Sequence, residues 1–157
     1  MTPPPSLSIR PARPEERRLI RRLVGEAGAG LDPIGLKWPN FLVAEIEGRV
    51  VGCAQTKVYS GVRELGSLVV SKPYRRQGIG GALVRALLAR EDGDVYLMCQ
   101  GRMAPYYVRF GFEEIKSHEA PLALQVKFRV GRVVAGAFGV RLSVMQRKPK
   151  PGESDEP

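Results

Sequence analysis

Arg75-Arg76-Gln77-Gly78-Ile79-Gly80 follows an apolar run at 65–70 and opens an amphipathic segment at 78–90. That order reads as strand, glycine-containing turn, helix. Gly78 and Gly80 have no Cβ, so the backbone can turn sharply there and a ligand can approach it closely. The first N–H groups of a helix have no intrahelical partner and lie at the positive end of its dipole. Backbone donors hold an anion placed there, and Arg75 and Arg76 add fixed positive charge. The stretch predicts a cradle for a phosphate or pyrophosphate. Taken alone, the same letters also describe a plain Gly-rich turn.

The spacing Arg75, Gly78, Gly80 (Arg/Gln-x-x-Gly-x-Gly/Ala) resembles the acetyl-coenzyme A motif of the GNAT superfamily of N-acetyltransferases. Two further segments resemble the same family. Tyr106-Tyr107-Val108-Arg109-Phe110-Gly111-Phe112 has its tyrosine, three residues, then Gly-Phe, as in the stretch after the fifth strand. The segment 41–52 looks like the hairpin of the second and third strands. The order and separation of the three fit, and the resemblance covers residues 7–147. It implies an α/β fold with a mixed sheet. Its N-terminal strands are antiparallel, and its fourth and fifth strands are parallel and splayed around the cofactor. Acetyl-CoA is the implied cosubstrate.

Composition sets outer bounds. A chain of 157 residues, 43% hydrophobic and 26% charged, has the makeup of one soluble globular domain. No apolar run reaches the ~18 residues that span a bilayer, so no membrane partner is expected. The start, Met1 to Ser6, lacks a basic region followed by an apolar core, so a cytoplasmic location is expected. Cys53 and Cys99 make no disulfide framework. With His118 as the sole histidine, no metal site is expected. The net charge of +9 attracts anions in general. The basic residues read as dispersed, so no specific nucleic acid is expected, and a homodimer is compatible with these features.

Along the chain, 1–6 and 148–157 read as disordered tails flanking one domain at 7–147. A strand is predicted at 7–10. Pro14, Glu15 and Glu16 then suit a helix start, and Leu19, Ile20, Leu23, Val24 and Ala27 mark an apolar helix face. An irregular or short helical connector is expected from Asp32 to Asn40. Strands follow at 41–47, 49–58 and 63–70, a helix at 78–90, a buried strand at 95–99, a helix at 102–110 and a strand at 112–116. Residues 121–136 fit helix or strand, with Pro121 and the spacing of Leu122, Val126 and Val130 leaning to helix, and a last strand is expected at 140–146.

Acetyl transfer from a thioester to an amine needs a held cofactor, a neutral amine, a donor for the oxyanion and a proton for the departing thiolate. The resemblance distributes these roles. Arg75, Arg76, Gln77, Gly78, Ile79, Gly80 and Gly81 hold the pyrophosphate. Backbone groups of Leu68, Val69 and Val70 bond the pantetheine arm by strand addition, and an N–H near Val69 faces the thioester carbonyl. Glu64, eleven residues before Arg75, takes the position of a base, with Glu45 or an ordered water as the alternative. A plainer reading pairs Glu64 with Arg63 or Lys57 at a strand end. Tyr107, four residues before Gly111, takes the position of the acid, with Tyr106 as its neighbour in register. Many relatives place an Asn shortly before this tyrosine; here the segment 99–105 has none, and Gln100 is the candidate substitute.

The leading reading is an N-acetyltransferase acting on a primary amine. A CoA-binding sensor without catalysis, and a nucleic-acid-binding protein using the positive charge, are the alternatives. The acceptor is not readable from the sequence, because it depends on the segments 25–40 and 116–139.

Overall fold

The structure, a computed structural model, describes residues 2–27 and 36–150. The chain forms two compact units. The first holds Met1–Lys57 and Leu65–Arg90, the second Val58–Glu64 and Glu91–Pro157.

In the first unit, β1 (Leu7–Pro11) pairs antiparallel with β2 (Phe41–Ile46), and β2 pairs antiparallel with β3 (Arg49–Tyr59). The β2–β3 turn is Glu47-Gly48, with φ of 49° and 76°. Two successive left-handed residues match the strand twist, which is why a glycine sits second. A second turn of this kind, Ser60-Gly61 with φ of 48° and 74°, links β3 to β4 (Val62–Val70). Helix α1 (Arg17–Glu26) buries Ile20, Leu23 and Val24 against Phe41, Val43, Cys53 and Val69. Ala27 lies one residue past the helix and is exposed, so it is not part of the predicted apolar face.

Helix α2 (Ile79–Leu88) packs on β1 and β2 and sets Leu83 against Gly52. Gly52 and Cys53 are consecutive on β3, so their side-chain directions oppose. The two helices therefore cover opposite faces of this part of the sheet.

In the second unit, β4 pairs in parallel with β5 (Val95–Gln100) at Glu64↔Tyr96. β7 (Leu142–Arg147) runs antiparallel to β5 from Val95↔Arg147 to Gln100↔Leu142 and antiparallel to β6 (Glu113–Ile115) on its other edge. A 3₁₀ turn at Gly101–Met103 leads into α3 (Ala104–Val108), shorter than the predicted 102–110 helix because Gly111, at φ 87°, stops it. Helix α4 (Leu122–Ala137) places Leu124 and Phe128 against Val62, Tyr96 and Val144. The predicted helix is present, but Leu122, Val126 and Val130, whose spacing announces it, are exposed. The strands hydrogen-bond in the order β1-β2-β3-β4-β5-β7-β6, the mixed α/β sheet expected from the sequence.

The approach of β3 to β4 depends on one missing side chain. A Cβ on Gly52 would lie 2.8 Å from the Val69 carbonyl oxygen, a backbone atom that cannot swing aside. Gly52→Ala should therefore lower stability by about 1–3 kcal/mol in urea unfolding. Gly25→Ala, whose Cβ would meet nothing within 4 Å on α1, should leave stability unchanged or raise it.

Candidate active site

The turn from β4 into α2 is built from unusual backbone. Ser71 N–H bonds the Val51 carbonyl at 2.8 Å, a 3₁₀ turn at Lys72–Tyr74 follows, and the Arg75 guanidinium Nε donates to the Val70 carbonyl at 2.8 Å. Arg75 is thereby tied to the strand end. Arg76 and Gly78 have φ of 62° and 78°. Glycine adopts that region freely, whereas Arg76 is strained in it. Left-handed residues alternating with right-handed or extended ones turn successive N–H groups into one hollow. The α2 ladder begins with Ala82 N–H to Gly78 O at 3.1 Å, and Gly78 supplies no side-chain cap. The amides of residues 78–81 stand ahead of that ladder.

Within β4 the chain leaves the extended region at Ser67, φ 53°. Beyond it the Val69 carbonyl lies against Gly52, and Ser71 N–H reaches β3. Strand alternation then turns the backbone groups of Leu68 and Val70 to the opposite edge of β4. On β3, Cys53, Gln55 and Lys57 share a face. Gln55 Nε2 donates to Ser67 Oγ at 2.9 Å, while its Oε1 is buried without a hydrogen-bond partner among the described residues. Lys57 is buried, with its Nζ 3.5 Å from where a Cβ of Gly66 would stand.

Glu64 is not a strand-end surface residue. It is 3% exposed and accepts from the Tyr59 hydroxyl at 2.6 Å and from Lys127 Nζ at 3.0 and 3.2 Å. Its cation is thus Lys127 on α4, whereas Arg63 faces Glu91 at 3.5 Å. Glu45, the alternative base, is held by Arg10, which also binds Glu16. Hydrogen bonding to Glu16 raises the Arg10 guanidinium above its usual range, against the opposing effect of burial, and the same bond lowers the Glu16 carboxyl.

Tyr107 is half-buried on α3. Its ring meets Tyr106 edge-on at 5.2 Å and Phe112 at 6.1 Å. Burial, then the proximity of Cys99 and Tyr106, raises its phenol above the usual range. Gln100 is exposed, and its carbonyl oxygen is taken by Arg102 Nε at 2.8 Å, an engagement the sequence did not signal. The arginines prove less dispersed than the sequence reading held. Arg17, Arg18, Arg21 and Arg22 are all exposed on α1, and Arg17 and Arg21 edge a small hollow with Ile20, Leu36, Trp38 and Phe41. Residues 28–35, part of the segment expected to shape the acceptor site, lie outside the described residues, as do Met1 and 151–157 of the predicted tails.

Both cysteines are free. Burial pushes the Cys53 thiol up to about 12. Burial together with Glu114 pushes Cys99 up to about 11. The native state therefore keeps thiol protons that the unfolded chain releases near pH 9. This contribution to stability is present below pH 9 and is lost as the pH climbs toward 11 and 12. At pH 8.5, iodoacetamide should modify two thiols readily in denaturant and both much more slowly in the native protein; mass spectrometry over time reads the difference.

The chain is similar in sequence and in fold to known proteins. The sequence model of the Acetyltransferase (GNAT) domain family matches residues 37–114. An uncharacterised N-acetyltransferase of Chlorobaculum tepidum is 30% identical over 125 residues, covering 72% of this chain and 79% of that protein. N-acetylglutamate synthase of Neisseria gonorrhoeae, complexed with coenzyme A and N-acetyl-glutamate, shares the fold at a TM-score of 0.72 and 18% identity. That match covers 92% of this chain and 35% of the synthase, so the chain spans about a third of it. A GNAT family acetyltransferase of Brucella melitensis in complex with acetyl-CoA aligns at a TM-score of 0.53 and 27% identity, over 68% of this chain and 82% of its own.

Proposed function

This chain belongs to the GNAT superfamily of N-acetyltransferases, and from that premise we propose that it moves the acetyl group of acetyl-CoA to a primary amine by direct attack. One observation carries the reading. The left-handed residues Arg76 and Gly78 lead straight into an uncapped helix end, which leaves an amide-lined hollow fit for a pyrophosphate. Neighbours complexed with coenzyme A or acetyl-CoA support the choice of cosubstrate.

In this reading the amides of Gly78, Ile79, Gly80 and Gly81 hold the pyrophosphate, with Arg75, Arg76 and Gln77 at its rim. The backbone of β4 around Val69 takes the pantetheine arm by strand addition. Leu68 and Val70 supply the outward-turned edge, while the Val69 side chain is buried beneath it. The amine lone pair forms the N–C bond at the thioester carbonyl, an N–H near Val69 meets the oxyanion, and the C–S bond then breaks. The proton from nitrogen goes to Glu64, which its burial places behind the Tyr59 hydroxyl or a water. Tyr107 gives its proton to the departing thiolate and regains one from solvent. The acceptor is assigned to amines that carry an acidic group, such as an amino acid. The net charge of +9 supports that choice.

Gly80→Asp should weaken acetyl-CoA binding at least tenfold in calorimetry. An acid in the first turn favours the helix itself, so the loss reads the anion site and not the fold. Unchanged affinity would remove the cradle assignment and leave the plain turn.

Tyr107→Phe should lower turnover at least tenfold with little change in acetyl-CoA affinity. Glu64→Gln, read beside Tyr59→Phe, should lower turnover at least tenfold with little change in acetyl-CoA affinity. If Tyr107→Phe binds and turns over normally, the tyrosine only packs. Intact coenzyme A binding without turnover on any amine would select the sensor reading.

A further inference from the structure

Helix α4 lies beyond residues 37–114, which the family model matches, and it is apolar on the wrong side. Its inner face is accounted for by Leu124, Phe128 and Ala135, all buried. Its outer face carries Leu122 at 74% exposed, Val126 at 56%, Val130 at 63% and Val133 at 73%, with Phe138 at 77% just past the end. At 100° per residue these four helical positions fall within a stripe about 80° wide along the whole ~24 Å helix. A solvated face is ordinarily filled with Glu, Lys, Gln or Ala, which favour helix; valine loses side-chain freedom there. Continuous apolar exposure of this kind marks a contact surface.

Charge narrows the occupant. From Ala120 to Lys150 the chain holds seven Lys and Arg and not one Asp or Glu. Arg129 is exposed on one shoulder of the stripe, and Arg132 is exposed further round the same side, its guanidinium 5.8 Å over the ring of buried Phe128. Glu119, the acid nearest in sequence, is turned back onto the Lys116 amide at 2.8 Å. Two copies pairing antiparallel through this stripe would be centred near Val130, which brings Arg129 close to Arg129 of the other copy. The stripe is aliphatic, with no Trp, Tyr or hydrogen-bonding group to fix a register. A fluid anionic surface needs no register.

We infer that α4 docks this protein on an anionic lipid surface, the stripe entering the headgroup–acyl boundary and Arg129 and Arg132 meeting lipid phosphates. The sequence-level expectation of no membrane partner rests on spanning length, and no described helix is long and apolar enough to cross a bilayer; lying on one is a different property. The ion pair of Lys127 with buried Glu64 anchors the helix from its inner side.

The test is flotation of the full chain with vesicles of phosphatidylglycerol and phosphatidylcholine in equal parts, and with phosphatidylcholine alone. Binding should favour the anionic vesicles at least tenfold and weaken as NaCl rises from 50 to 300 mM. Val130→Glu and, independently, Val126→Glu should each reduce anionic-vesicle binding at least tenfold while melting within a few degrees of the parent. Arg129→Gln with Arg132→Gln should reduce it several-fold on anionic vesicles only. Absence of anionic-vesicle binding, or binding unmoved by both glutamates, overturns the proposal. So does a vesicle-free dimer, by sedimentation equilibrium, that Val130→Glu dissociates, since the stripe would then be an interface between copies. Acetyl-CoA affinity should be unchanged in every variant, which separates this outcome from that of the acetyl-transfer reading.

Discussion

A helix that leaves its first amides open must be held by something other than its cap, and burial along one side of α2 meets that need. Gly78 supplies no side-chain bond to the helix start, yet Ile79, Leu83, Val84 and Leu87 are almost wholly removed from water. Apolar burial of four such side chains is worth several kcal/mol, which outweighs the cost of an uncapped end at about 1 kcal/mol. The open end is thus a product of packing, and the strain at Arg76 is sustained by the same packing together with the Arg75 bond to Val70.

The Glu64–Lys127–Tyr59 cluster follows a different logic. A carboxylate 3% exposed is costly to bury, and it persists because a cation and a hydroxyl satisfy it. Removing the cation alone would leave the charge stranded, so α4 and the start of β4 are bound to each other more firmly than their apolar contacts require. This gives Glu64 a structural duty alongside the chemical one assigned to it.

The sequence made the strand, turn and helix at 65–90 legible because their signal is local: an apolar strand, a glycine at the turn, a helix with its apolar positions on one side. The hairpin at Glu47-Gly48 was legible for the same reason. Other features were not. The partner of Glu64 lies 63 residues away in the chain, and no local pattern announces it. Spacing revealed the helix at 121–136 but not which of its faces meets the sheet, since both are apolar. Left-handed backbone at Ser67 and Arg76 was hidden because neither is glycine. The fate of Gln100 depended on Arg102 reaching back two residues, a matter of rotamer and not of composition.

β7, the last strand among the described residues, lies between β5 and β6 and pairs with both. Until its residues are available, the hydrogen-bonding edges it fills on β5 and β6 have no strand to take them, although both are synthesised earlier. Bare edges invite pairing with other chains. The second unit is therefore most vulnerable to aggregation in the interval between synthesis of Ile115 and arrival of Arg147. Any alteration at the carboxyl end that delays strand docking lengthens that interval, even when it changes nothing in the finished protein.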